Sequence, residues 1–214
     1  MNWVVVARPR PQPTTGNYAS WKPEIARACR GQCVYCTITE GEYGGLDNFH
    51  VEHFRPKSRF VHLENDINNL FIACAICNRF KSDDWPGDPD DAGATATYLD
   101  PSEVDYHNHI RRKGAGVVLK GTTVAGQYCV ERLFLNRPQL LVSRRLRLVL
   151  ERLTKVNAAL EAELPAVAAA GVNGKAIILK IAPVSLALNT LQAKIATARP
   201  YVAGETQRSE MDGP

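Results

Sequence analysis

Four cysteines and one short polar string hold most of the chemistry in this chain. Cys33 and Cys36 form one Cys-X-X-Cys pair and Cys74 and Cys77 a second, with 37 residues between the pairs. His50-Val51-Glu52-His53 lies in that interval, and Asn78-Arg79-Phe80-Lys81 follows the second pair directly. Two residues between thiols let both sulfurs turn toward one ion from a tight knuckle. Two knuckles supply a closed tetrahedral set, the arrangement of structural zinc sites. Iron accepts the same four ligands, so the spacing predicts a four-thiolate metal site and leaves zinc against iron open. The bland reading, four unrelated buried thiols, requires two coincidences of spacing. Cys29 and Cys129 have no partner at knuckle spacing and are expected to be core or surface thiols.

A neutral imidazole is the natural general base near pH 7, and a neighbouring carboxylate can hold a hard divalent cation. His53 and Glu52 are such a pair. Adjacent residues of a strand point to opposite faces, so the two reach one site only where the chain bends; Arg55-Pro56 allows that departure. A His beside a Glu is by itself more often a surface pair. Its placement between two thiol knuckles, with Asn69 and Asn78 nearby, favours catalysis.

These residues must be positioned by short elements. Val-rich residues 1–7 suggest a strand and residues 8–15 a Pro-interrupted linker. Residues 20–30 suggest a helix with Ser20 as N-cap and Pro23 in its first turn. Residues 48–60 read as a strand and turn, 68–73 as a short apolar element, and 78–84 as a helical turn or more, stopped by Trp85-Pro86-Gly87. The interval between the knuckles holds few large apolar residues, so zinc is expected to supply much of its folding free energy. Residues 88–97 form an acidic, Gly- and Ala-containing loop, and 117–124 suggest a hairpin about Lys120-Gly121. From Arg137 to Leu164 apolar residues recur at three and four, the mark of a long amphipathic helix, which Pro165 should end. Residues 182–198 suggest a second helix, and the tail from Ala203 is polar. The expected divisions are residues 1–31, 32–90 and 91–214.

Composition narrows the class. With 214 residues, 45% hydrophobic and 22% charged, the chain is sized for one soluble domain with an extension. No apolar run reaches the length of a signal segment or membrane span, so a cytoplasmic protein off the membrane is expected. Net charge is +4, and residues 131–161 carry seven Lys/Arg against three Glu. Arg144, Arg145, Arg147 and Arg152 there read as a phosphate-tracking face, a docking surface or an ordinary solvated helix face. His62, His107 and His109 are expected to be solvated or locally hydrogen-bonded.

Glu52-His53, Asn69-Leu70 and Cys77-Asn78-Arg79-Phe80-Lys81 resemble the HNH nuclease pattern of the ββα-metal fold over roughly residues 30–85. The Cys pairs match members that staple this motif with four cysteines. Val51-Glu52-His53-Phe54-Arg55-Pro56-Lys57-Ser58, and more loosely Leu99-Asp100-Pro101 and Leu135-Asn136-Arg137, look like the nuclease subunit of the Septu antiphage system.

The resemblance implies an α+β fold: a ββα-metal core stapled by a four-cysteine zinc site (Cys33, Cys36, Cys74, Cys77), with a C-terminal helical extension. It implies that His53 deprotonates water, that Asn69 orders the loop orienting the base, and that Glu52 and Asn78 hold catalytic Mg²⁺ or Mn²⁺. Asn78 departs from the literal pattern, where many members have His, and a helix-cap role is its rival. His50 is a further ligand candidate, weighed against a structural role. Arg79, Lys81, Arg55 and Lys57 are candidates for phosphate contact, against a solvated face. The implied function is endonucleolytic hydrolysis of nucleic acid, DNA ahead of RNA, in antiphage defence beside an ATPase partner. The rival from another class is a non-catalytic zinc-ribbon module that binds nucleic acid or protein.

Overall fold

The computed structural model describes residues 3–88, 96–113, 116–169 and 172–197. Most of the acidic loop expected at 88–97, and the polar tail from Ala203, lie outside the described residues. The remainder falls into two compact units that divide between Leu141 and Val142.

Helix α1 (Lys22–Ala28) opens the first unit. Trp21, one residue past the expected Ser20, is its N-cap, and Pro23 sits in its first turn, where a missing N–H costs nothing. Strands β1 (Phe49–His53) and β2 (Leu70–Cys74) pair antiparallel, with Glu52 opposite Phe71 and His53 opposite Leu70. Helix α2 (Ala75–Lys81) follows β2 without a linker and completes a ββα unit. It ends before Trp85-Pro86-Gly87, because Ser82 turns left-handed at φ 49° and donates its N–H to the Asn78 carbonyl.

Four elements follow: β3 (Ile110–Lys113), β4 (Val118–Gly121), α3 (Val124–Arg132) and α4 (Pro138–Ala169). The hairpin is therefore placed earlier than expected. Lys120 and Gly121 are paired strand residues opposite Arg111 and Ile110, and the reversal falls between Lys113 and Val118. The Val-rich residues 3–7 form no strand, although the Val6 N–H reaches the Pro101 carbonyl at 2.8 Å.

The interval between the thiol pairs is better packed than its composition suggests. Phe49, Phe54, Ile67, Leu70, Phe71 and Ile72 are all fully buried. Their partners come from outside it: Trp21, Ile25, Tyr98, Tyr106, Leu133 and Leu135 belong to the same core. Phe54 meets Phe71 and Trp85 edge-on, with centroids 6.3 and 5.2 Å apart. Such pairs add about 0.5–1.5 kcal/mol beyond area burial.

Residues 8–12 are a strap, not a linker. Arg8 donates to the Asn68 carbonyl from Nε and Nη2, at 3.0 and 2.6 Å, and Arg10 Nη2 donates to the Leu70 carbonyl at 2.7 Å. Gln12 accepts from the Ile67 N–H at 3.0 Å. Asp100, from the Leu-Asp-Pro string, is buried and holds Arg8 at 3.2 Å.

The second unit holds most of α4 and all of α5 (Val172–Thr197). Pro165 and Pro183 lie inside these helices, so neither ends nor begins one. Proline deletes a hydrogen bond at a cost of about 3 kcal/mol, and the alanines around Pro165 restore the local preference for helix. A polar cluster joins the two helices: Asn157 Nδ2 donates to Asn189 Oδ1 at 2.6 Å, and Ser185 donates to Asn157 Oδ1 at 3.2 Å. Arg144 is buried, so it leaves the exposed basic face expected on α4; Arg145 and Arg152 remain exposed. No helix among the described residues is long and apolar enough to cross a membrane.

Candidate active site and metal centre

The thiol knot is built from two local turns. In the first, the Thr37 N–H returns to the Cys33 carbonyl and the Cys33 N–H to the Ile38 carbonyl, both at 2.9 Å, with Thr37 left-handed at φ 59°. In the second, Cys74 closes β2 and caps α2, its Sγ accepting from the Cys77 N–H at 3.5 Å. All four sulfurs are buried and lie within 4.8 Å of one another. The Cys36–Cys74 separation is 3.7 Å. A tetrahedral zinc tetrathiolate with bonds of about 2.3 Å has edges of about 3.8 Å, so the four residues fit zinc.

Burial pushes the Cys33 and Cys77 thiols up, while hydrogen bonds from the other three hold Cys74 well down. Arg137 Nη2 approaches Cys77 Sγ at 3.4 Å and Cys74 Sγ at 3.7 Å. Burial opposes its charge, but the neighbouring Cys77, Cys36 and Cys74 sulfurs outweigh burial and raise its pKa. Cys29 and Cys129 are both core thiols that accept backbone N–H groups, and burial raises them to about 11 and about 12.

A separate open cavity of about 330 Å³ is lined by Glu52, His53 and Asn78, with Tyr18, Lys57 and Ser82 among its other walls. Adjacent strand residues share it because β1 stops at His53. Asn69 fixes the bend: its Oδ1 accepts from the Arg55 N–H at 2.8 Å, and its Nδ2 donates to the Arg55 carbonyl at 3.0 Å. His53 Nε2 lies 2.9 Å from the Glu64 carbonyl. A carbonyl only accepts, so Nε2 carries the proton and Nδ1 is left as the basic atom. Burial lowers the His53 pKa, the Glu64 bond opposes this, and the charges of Lys57 and Lys81 add to the lowering. The ring is therefore neutral at pH 7. Tyr18 packs edge-on against it at 4.8 Å.

Glu52 is buried, and Oε1 receives both its contacts: Lys81 Nζ at 2.7 Å and the Tyr35 hydroxyl at 3.2 Å. Burial raises its pKa, against the pull of Lys81 and Tyr35. Asn78 Nδ2 lies 3.1 Å from His50 Nδ1, which leaves Asn78 Oδ1 for a cation. His50 is not among the cavity walls; its contact is with the Asn78 amide.

The basic candidates separate. Lys81 is fully buried, and its ammonium also donates to the His53 carbonyl at 3.0 Å, so it is not available to an external phosphate. This corrects the expectation of a surface cation. Its i+4 spacing from the buried Cys77 is the signal that it shares the inner face of α2. Arg55 pairs with Asp88 at 2.8 Å. Lys57 lies at the cavity and bonds Tyr18 and Glu64. Arg79 is exposed. The roles of Tyr18, Tyr35 and Lys81 emerge only from the structure; the two tyrosines carry no motif that would reveal them.

Residues 33–84 match the family model for the HNH endonuclease, and the ββα unit and thiol knot fall within that span. This stretch is an HNH domain. No curated protein and no solved structure matches the chain.

Proposed function

We propose that the protein is a metal-dependent endonuclease that hydrolyses nucleic-acid phosphodiester bonds, with DNA as substrate. The observation that carries this reading is the meeting of Glu52, His53 and Asn78 at one cavity inside the HNH span. Mg²⁺ or Mn²⁺ bound by Glu52 and Asn78 would neutralise charge on the phosphate and leaving oxygen. His53 Nδ1 takes the proton of the attacking water, with the ring held by Glu64 and the bend held by Asn69. Zinc in the four-cysteine knot would fix α2, and with it Asn78, against β2.

The Septu-like string from Val51 to Ser58 further supports a role in antiphage defence beside an ATPase partner. One observation favours the rival, a non-cutting binding module: the Lys81 ammonium already partners the Glu52 carboxylate. Cleavage of supercoiled plasmid by zinc-loaded protein, with and without Mg²⁺ or Mn²⁺, decides between them. His53→Ala should lower the metal-dependent rate by about 10²–10⁴-fold. Equal cutting by the variant would refute the assigned base, and no cutting by either protein, alone or with the ATPase, would favour the binder.

A further inference from the structure

The β3–β4 hairpin carries Arg111, Arg112, Lys113 and Lys120, and no acidic residue occurs between Ile110 and Gly121. All four cations are exposed. None forms a salt bridge with any described residue, whereas Arg55, Lys57, Arg132 and Lys155 each have a carboxylate partner. Arg111 stands directly opposite Lys120 in the ladder. Like charges at such a position destabilise a sheet, so the arrangement costs stability in the free protein. Exposed residues on both faces from Arg111 to Lys113 show that the ribbon extends beyond the core.

Its root is fixed. Ile110 and Leu119 are buried. The Asn136 amide brackets Leu119, its Oδ1 accepting from the N–H at 2.7 Å and its Nδ2 donating to the carbonyl at 2.8 Å. A Cβ on Gly126 would stand 2.1 Å from the His109 carbonyl oxygen, so only glycine allows α3 this close to the hairpin. Asn136 grips the ribbon, and the next residue, Arg137, grips the thiol knot. Helix α3 extends the connection: Tyr128 and Arg132 both bind Asp84, beside the cavity wall at Ser82 and Asp83.

We propose that this ribbon is a phosphate-binding rail that seats in the major groove of duplex DNA and presents the strand to the cavity. A B-form major groove, about 12 Å wide, admits a two-stranded ribbon, and phosphates on its rims are complementary to four unpaired cations. The deep, narrow major groove of A-form RNA does not admit it. The assignment deepens the nuclease reading and rests on it for the substrate, but the binding test is independent of cutting.

The test is fluorescence anisotropy of zinc-loaded full-length protein on B-form DNA and A-form RNA duplexes, without added divalent cation, across a salt series. Arg111→Gln/Arg112→Gln/Lys113→Gln/Lys120→Gln should weaken DNA binding at least tenfold at about 0.1 M salt. It should also flatten the log–log salt slope by about 2–4, at about 0.9 per phosphate contact. Its melting temperature should match or exceed the parent's, since repulsion is removed; the milder Lys113→Gln/Lys120→Gln pair should show about half the slope change. An unchanged slope and affinity, or no duplex binding by the parent, would overturn the rail. Equal losses on RNA would overturn the DNA assignment, and competition by polyglutamate as strong as by DNA would overturn the groove fit. Ribbon-dependent DNA binding without plasmid cutting, alone or with the ATPase, would leave the rail standing and remove the nuclease.

Discussion

The thiol knot and the open cavity lie within one short stretch of chain, and each is suited to a metal ion, yet they are built on opposite plans. The knot is closed: four sulfurs of one kind, all buried, set by two local turns. The cavity is open and mixed, with a carboxylate, an amide and an imidazole drawn from the end of a strand and the first turns of a helix. Arg137 braces the knot from outside. The cavity depends on its surroundings: Asn69 makes the bend, Glu64 holds the imidazole, and Tyr35 and Lys81 hold the carboxylate. A site that only holds an ion can be made from spacing. One that must also leave room for a substrate has to be supported from several distant segments.

Zinc removal should be the most damaging test of this contrast. Chelation of the four-cysteine site is expected to unfold the HNH stretch, since zinc contributes about 10–16 kcal/mol to isolated zinc-finger peptides. Far-UV circular dichroism and limited proteolysis read this. Retained protection would mean that the shared aromatic core holds the stretch without its staple.

Lys81→Met comes next. It leaves the buried Glu52 carboxylate without its cation and should lower the unfolding free energy by about 3–5 kcal/mol in urea titration. Adding Glu52→Gln should restore most of that loss. A double variant as unstable as the single would show that Lys81 acts through packing instead of charge.

The smallest expected effect concerns the proposed base. Because the fold lowers the His53 pKa, the acid limb of kcat/KM should fall below the free imidazole value of about 6.5, and activity should be lost as pH drops through it. Lys57→Gln removes one cause of the lowering and frees Glu64 from its partner, so the limb should move up. A downward movement would reverse the sign assigned to Lys57.

The difference between the two sites also explains what is legible in the sequence. The knot can be read because its information is local: two residues between thiols, twice. His53 and Asn69 can be read because a motif places them. Lys81 cannot, since Arg79-Phe80-Lys81 looks like a solvated helix end until the partner strand is in place. Pro165 misleads because proline disfavours helix locally, while Ala162, Ala166, Ala168 and Ala169 around it favour helix. The hairpin shifts because Gly121 reads as a turn residue, whereas its bare backbone is needed for the close approach of α3, a Cβ there standing 2.1 Å from the Gln127 nitrogen.

The strap at residues 8–12 has a practical consequence for anyone who would borrow this HNH stretch as a module. Arg8 and Arg10 hold the carbonyls on either side of Asn69, and Asp100 anchors Arg8 from far along the chain. The recognisable motif is thus not a portable cassette. A fusion carrying residues 33–84 alone would inherit the signature without the brace that sets its geometry. The smallest part worth transplanting runs from Trp3 to Leu141.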